Sequence, residues 1–163
     1  MGSEMCIRDS LRAALPSSST VEGFDFCEPL LDLARARAAR EKTAGLTFAH
    51  GDCLRLPIAD GSVDLTTIAY GVRNFEDRPA GLRELRRILR PGGTLLILEF
   101  SQPSAWFRPI HFIQVRILAP VVATLITGDL AAYRYLGTSI AGFPDASGLD
   151  AELLRAGFGT VRH

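Results

Sequence analysis

The feature that most constrains this chain is an alternation: four short apolar runs, at residues 21–26, 46–50, 63–70 and 93–100, are separated by segments of helical or turn-forming character. Each run is short for a helix and rich in apolar or β-branched side chains, as strands buried on both faces are. Between the first two, residues 28–40 read as a helix, with Pro29 suited to the first turn and Leu30, Leu31 and Leu33 giving it an apolar side. Between the last two, residues 78–89 place Leu82, Leu85, Ile88 and Leu89 at helical spacing. Pro91-Gly92-Gly93 is expected to end that helix and turn the chain into the next strand. Strand, helix, strand, loop, strand, helix, strand is the order of an α/β, doubly wound, Rossmann-like domain with a parallel sheet.

After Ser101 the pattern becomes helical, at 106–127, 130–141 and 149–156, before a strand-like stretch at 158–162. The uncharged stretch 117–126 is interrupted by Pro120 and is too short to span a bilayer, so a buried or partly membrane-facing helix is expected there. Residues 1–20 contain the tract Pro16-Ser17-Ser18-Ser19-Thr20 and read as an extraneous or flexible segment, which leaves 21–163 as the domain. A length of 163 residues accommodates one substantial core. The 18 basic residues balance the 18 acidic ones, so nothing in the charge calls for nucleic acid. Lys42 is the only lysine, which leaves mechanisms that need a Schiff-base or phosphate-gripping lysine almost no candidates. Cys6, Cys27 and Cys53 are odd in number and spaced neither as a disulfide framework nor as zinc ligands. That usage fits a reduced, cytoplasmic setting and no metal.

In a doubly wound sheet ligands bind beyond the carboxyl ends of the strands, so the residues that follow each strand are the candidates for chemistry. Asp25 ends the first strand, where a carboxylate either accepts from the two hydroxyls of a ribose or serves as a helix cap. The second strand runs into Gly51-Asp52-Cys53: a glycine allows close backbone approach, and Asp52 can accept from an exocyclic amine, although turns also use this pair. The third runs into Tyr70-Gly71-Val72-Arg73-Asn74, which projects a ring, a guanidinium and an amide from one turn; an Arg73–Asp77 ion pair is the plainer alternative. The fourth ends in Glu99-Phe100-Ser101, with Glu99 either at the same rim or tethering a loop.

Several of these stretches together resemble the ubiquinone/menaquinone biosynthesis C-methyltransferases, a class I family dependent on S-adenosylmethionine. The resemblance is carried by the run from Arg87 through Pro91-Gly92-Gly93 to Glu99-Phe100-Ser101, and by Leu56-Pro57 with Asp60 ahead of Val63-Asp64. Gly71-Val72-Arg73-Asn74 adds to it, as do Tyr133-Arg134-Tyr135-Leu136, Ser139-Ile140 and Phe143-Pro144. Two features expected of such a family are missing: the Tyr-Asp-x-Met-Asn opening, and a first strand leading into a glycine-rich loop that cradles the methionine end of the cofactor. A last strand with a Gly-Gly-x-x-x-Leu-His-like segment is also missing. The opening Met5-Cys6-Ile7-Arg8-Asp9-Ser10 resembles a translated sequencing adapter. The sequence therefore reads as a partial domain that lacks its first and last strands, expected to bind the cofactor poorly as written.

The resemblance implies transfer of a methyl group from S-adenosylmethionine to a ring carbon of a prenylated hydroquinone, either demethylmenaquinol or a ubiquinone precursor. Residue by residue it places Asp25 at the ribose, Asp52 and Cys53 at the adenine, and Ala69, Tyr70 and Gly71 along the cofactor. Family members often carry serine at the position of Ala69, so one hydroxyl is lost here. A phenol-like hydroxyl of pKa about 10 must lose its proton for the ring to attack. An arginine is too basic to take that proton, so Arg73 is expected to hold the phenolate or orient a water, with Asn74 aiming it. The segment 106–127 would face the isoprenoid tail or a membrane surface. Two other readings remain open: a noncatalytic scaffold subunit, and a nicotinamide-binding Rossmann protein.

Overall fold

The computed structural model describes residues 14–16, 18–42, 44–102, 106, 113 and 138–163. Most of the helices expected at 106–127 and 130–141 therefore lie outside the described residues, although 138–141 is helical.

Strand β1 (Val21–Asp25), helix α1 (Glu28–Glu41) and strand β2 (Leu46–His50) form a strand–helix–strand crossover. Its two strands pair in parallel, from Val21 opposite Leu46 to Asp25 opposite His50. Helix α1 begins with a proline in its first turn and closes at Lys42, whose left-handed backbone (φ 51°) lets its amide reach the Ala38 and Ala39 carbonyls. The apolar side differs from the sequence expectation. Leu31 and Ala34 are buried, three residues apart on one face, whereas Leu30 and Leu33 are exposed. Successive helical residues are about 100° apart, so Leu30, Leu31 and Leu33 cannot all face one core. Arg35 ties the helix to the sheet through a hydrogen bond from Nη2 to the Phe48 carbonyl, at 3.4 Å.

Strand β3 (Val63–Ala69) and strand β4 (Leu89–Leu98) make a second pair. At one end Gly61 and Ser62 amides donate to the Arg87 and Ile88 carbonyls; at the other the Tyr70 amide donates to Leu98. Both strands advance together through these bonds, which makes them parallel. The intervening helix α2 (Arg78–Ile88) is N-capped by Asp77, whose side chain accepts from the Ala80 amide at 2.9 Å. Leu82, Leu85 and Ile88 are buried at helical spacing, as the sequence predicts. Each contributes about 1.5–3 kcal/mol on burial. Strand β4 starts at Leu89, ahead of Pro91-Gly92-Gly93, because Leu89 is already extended where the helix stops. It is also not buried on both faces: Leu96 and Leu98 stay about half exposed while Leu95 and Ile97 alternate inward.

Among the described residues the strands form two two-stranded sheets, β1–β2 and β3–β4, with no ladder joining them.

The chain divides into two compact units, one of Met1–Ala69 with Asp77–Ile97 and one of Tyr70–Glu76 with Leu98–His163. In the second, helix α3 (Ala146–Arg155) starts before the expected residue 149, because the Asp145 side chain caps it by accepting from the Gly148 amide at 3.0 Å. Gly157 (φ 98°) closes it, and the Phe158 amide donates back to the Leu153 carbonyl. The strand expected at 158–162 is not formed: no ladder among the described residues includes it, and its backbone is irregular. Ser101 Oγ donates to the Pro144 carbonyl and Gln102 Nε2 to that of Ile140, which holds the segment after β4 against residues 140–144.

Candidate functional site

In the first unit the strand ends bring Asp25, Asp52 and Cys53 to the same edge of the β1–β2 pair, where the Gly51 amide donates to the Asp25 carbonyl at 3.1 Å. The Asp25 side chain is half-buried and fixed by one bond, accepting from the Cys27 amide at 2.9 Å through Oδ1. It does not cap α1, whose N-cap residue is Cys27. Among the described residues no hydrogen bond uses its second oxygen. Asp52 is exposed, and its Oδ1 accepts from the Leu54 amide at 2.8 Å in a tight turn closed by a bridge between Asp52 and Arg55. Cys53 is half-buried and forms no disulfide among the described residues. Gly51 is glycine for packing: a Cβ there would lie 2.7 Å from the Phe24 ring. Ala69, at the end of β3, is buried. No group of three His, Cys, Asp or Glu side chains among the described residues is placed to hold a metal.

The loop that continues from Asp52 is held by a charge cluster. Arg87 donates from Nε and Nη2 to the two oxygens of Glu84, each at 2.7 Å, from Nη1 to the Ile58 carbonyl and Asp60, and from Nη2 to the Leu56 carbonyl. Glu84 also accepts from the Leu56 amide at 2.7 Å. The Arg87 hydrogen bond, ahead of the Leu56 amide and the nearby charge, holds the Glu84 carboxyl below its ordinary value against the opposing effect of burial. Arg87 is raised in turn, chiefly by Glu84 and then Asp60.

In the second unit the turn after β3 is strained at one residue. Tyr70 has φ 56°, in the left-handed region that a side chain disfavours by roughly 1–2 kcal/mol. Its ring lies 4.8 Å from that of Phe100, and the Arg73 guanidinium sits 5.8 Å from the Tyr70 ring and 5.7 Å from the Phe100 ring. Arg73 is ion-paired through Nη1 with Glu99, and its backbone amide also donates to that carboxylate, at 3.2 Å. The pair is nearly dry, with side-chain exposures of 11% and 2%. Phe100 supplies a further amide to Glu99 at 2.9 Å. Arg73 Nε is buried without a hydrogen-bond partner among the described residues. Asn74 is exposed and donates to the Tyr70 carbonyl at 3.4 Å, across the turn that the Asn74 amide closes on Gly71.

The model of the ubiE/COQ5 methyltransferase family matches residues 4–163. The chain belongs to that family. The match of this ubiE/COQ5 family member also takes in residues 4–20, most of which lie outside the described residues. It is 40% identical to a demethylmenaquinone methyltransferase of Thermus thermophilus over 94% of its own length and 69% of the relative's. It is 42% identical to another so named from Deinococcus radiodurans, over 86% of this chain and 58% of that one. A ubiquinone/menaquinone biosynthesis C-methyltransferase of Geotalea daltonii is 36% identical over 94% and 66%. The chain thus spans about six- to seven-tenths of the curated relatives it matches. Among solved structures, a SAM-dependent methyltransferase from Aquifex aeolicus superposes with a TM-score of 0.66 at 14% identity, covering 94% of this chain and 66% of that one. The [4+2]-cyclase SpnF does so with 0.65 at 20%, over 91% and 45%. The fold of the ubiE/COQ5 family member is therefore the Rossmann-like α/β fold of class I methyltransferases. A cyclase on the same fold shows that the fold by itself does not fix the reaction. Family membership sets aside the nicotinamide-binding reading.

The sequence-predicted residues of this family member thus fall into two groups, Asp25 with Asp52 and Cys53 in one unit, and Tyr70 with Gly71, Arg73 and Asn74 in the other. Sequence reasoning paired Arg73 with Asp77 as the plain alternative; the structure pairs it with Glu99, and Asp77 caps α2. Glu99 meets the plainer of its two expectations, a loop tether, by accepting from the Arg73 and Phe100 amides. The Tyr70 strain and the Arg87–Glu84 cluster carried no sequence signal as functional features.

Proposed function

We propose that this chain carries the cofactor edge and the charge-stabilising turn of an S-adenosylmethionine-dependent enzyme that C-methylates a prenylated hydroquinone in quinone biosynthesis. The observation that carries the reading is Arg73, nearly buried, tied to Glu99, set beside the neighbouring rings of Tyr70 and Phe100, with an Nε that has no hydrogen-bond partner among the described residues. The names of the family and of its curated relatives support the same reaction class.

The residues fit a nucleoside cofactor. Asp25 keeps a carboxylate oxygen uncommitted among the described residues, suited to a ribose diol, while the exposed Asp52 can accept from an adenine amine and Cys53 flanks it. By the family resemblance Ala69, Tyr70 and Gly71 would line the cofactor. When bound, S-adenosylmethionine supplies a sulfonium-activated methyl group. The protein's own contribution is positioning and charge. A ring carbon attacks well only as the phenolate develops, and a guanidinium held without its usual water stabilises that charge more strongly than one in solvent. Arg73 keeps its proton and acts as a donor, while a water takes the phenolic proton. Asn74 stiffens the turn from which Arg73 projects. The rings of Tyr70 and Phe100 offer a flat apolar surface to a quinol.

No helix among the described residues is long and apolar enough to cross a membrane. Contact of residues 106–127 with the inner face of a membrane, where the prenyl tail would reside, belongs to the same proposal, and so does the cytoplasmic setting.

The test is methyl transfer by the full-length gene product from labelled S-adenosylmethionine to demethylmenaquinol and to a ubiquinone precursor. Label in the ring of either quinol is the expected result and identifies the substrate. Cofactor binding with no transfer to either would replace this reading with a noncatalytic scaffold.

A further inference from the structure

We infer that Arg87 and Glu84 form a latch that positions the 52–60 loop and thereby sets the affinity for the nucleoside end of the cofactor. The link to the cofactor rests on the function proposed above; the latch itself does not.

A guanidinium has five N–H donors, and Arg87 spends them all within one loop and one helix: on both oxygens of Glu84, on Asp60, and on the carbonyls of Leu56 and Ile58. A saturated fork of this kind binds no ligand. Its products are the orientation and rigidity of whatever it grips. What it grips is the start of the β2–β3 connection, where Leu56 is buried and doubly held, its amide by Glu84 and its carbonyl by Arg87. Four residues before Leu56 stands Asp52. The intervening turn is closed twice, by the Asp52 side chain on the Leu54 amide and by the Arg55 amide on the Asp52 carbonyl, the bond that makes the bridge between Asp52 and Arg55. A turn so closed moves as one body. The position of the Asp52 carboxylate at the end of β2 is therefore set from both sides, by the strand and by the latch on α2. Arg87 and Glu84 are positioning residues, and they act through Asp52 and Cys53.

The experiment compares Arg87→Lys with the wild-type full-length gene product. Lysine keeps the charge and loses the fork. Amide exchange at Leu54 and Leu56 should quicken, and S-adenosylmethionine should bind about tenfold more weakly, the size of one lost hydrogen bond to a charged group. Turnover at saturating cofactor should stay within about twofold, because no group placed at the reacting atoms has moved. Faster exchange with unchanged cofactor affinity would overturn the inference, and so would reduced turnover with an unchanged KM for the cofactor, the mark of lost folded enzyme. Wild-type protein that binds no S-adenosylmethionine sinks the proposed function instead, and the exchange rates then judge the latch alone. Should Arg87→Lys fail to fold, Glu84→Gln takes the same comparison with the same outcomes, since it weakens the grip on the Leu56 amide and leaves Arg87 its remaining partners.

Discussion

The loop held by Arg87 and the turn that carries Arg73 use the same side chain in opposite ways. Arg87 is about one-third exposed and has every donor engaged, three of its partners being groups of the loop it fixes. Arg73 is largely buried, lies beside two packed rings and, among the described residues, answers to a single carboxylate and has an N–H with no acceptor. A saturated guanidinium near water is a fastener. A dry, under-satisfied one is costly to keep, and its cost is offset only if something accepts from it or if its field is used. The strained Tyr70 beside it points the same way, since backbone strain persists where the surrounding structure holds it for a purpose.

The sharpest way to break this contrast is to remove each arginine's acid. Glu99→Gln leaves a nearly buried guanidinium without its counter-charge and should cost about 3–5 kcal/mol in denaturant-induced unfolding. Glu84→Gln should cost about 1–3 kcal/mol, because Arg87 keeps Asp60 and two carbonyls. Equal losses would mean that the two arginines do not differ as described. Next in size is chemistry: Arg73→Ala in the full-length gene product should lower kcat about 100- to 1,000-fold, as removal of one charge-stabilising donor does, with cofactor affinity little changed. Arg73→Lys should not restore it, since an ammonium lacks the planar fork that holds Glu99 beside the rings. Steady-state kinetics with both substrates decides the matter, and near-normal turnover by either variant would make Arg73 a structural residue like Arg87.

Much of this was readable from the sequence, for reasons that differ by element. Strands β1 to β3 and helix α2 follow from local apolar pattern, and the positions of Asp25, Asp52 and Arg73, at or just after strand ends, follow from where those strands stop. What escaped is non-local. The start of β4 at Leu89 depends on amides of residues 61 and 62 meeting the end of α2. The partner of Arg73 lies 26 positions away, and a nearer acid, Asp77, is already committed to a helix cap. Arg87 and Asp60 stand out in the sequence as parts of separate motifs, but nothing local joins them; only the fold brings the 56–60 loop to Arg87. The start of α3 is a different kind of miss, because the Asp145 cap is a local signal that precedes the first apolar residue of the periodic pattern.

The smaller effects probe the latch from its exposed side. Glu84 titrates below its ordinary value in the folded chain, so its share of stability is complete above the ordinary glutamate pKa of about 4.3 and is lost as pH falls through the lower folded value. Protection of the Leu56 amide should fall over that acid range, and Glu84→Gln should flatten the fall. Asp60 sets the lower limit. It is the most exposed partner of Arg87, with 80% of its side chain open to solvent, so its ion pair is screened and worth about 0–1 kcal/mol. Asp60→Asn should therefore shift the unfolding midpoint barely at all and leave exchange at Leu54 and Leu56 as it was. If it loosened the loop as much as Glu84→Gln does, the grip would reside in long-range charge and not in the fork on Glu84 and the two carbonyls, and raising the salt concentration would then reproduce the loosening in the unmutated protein.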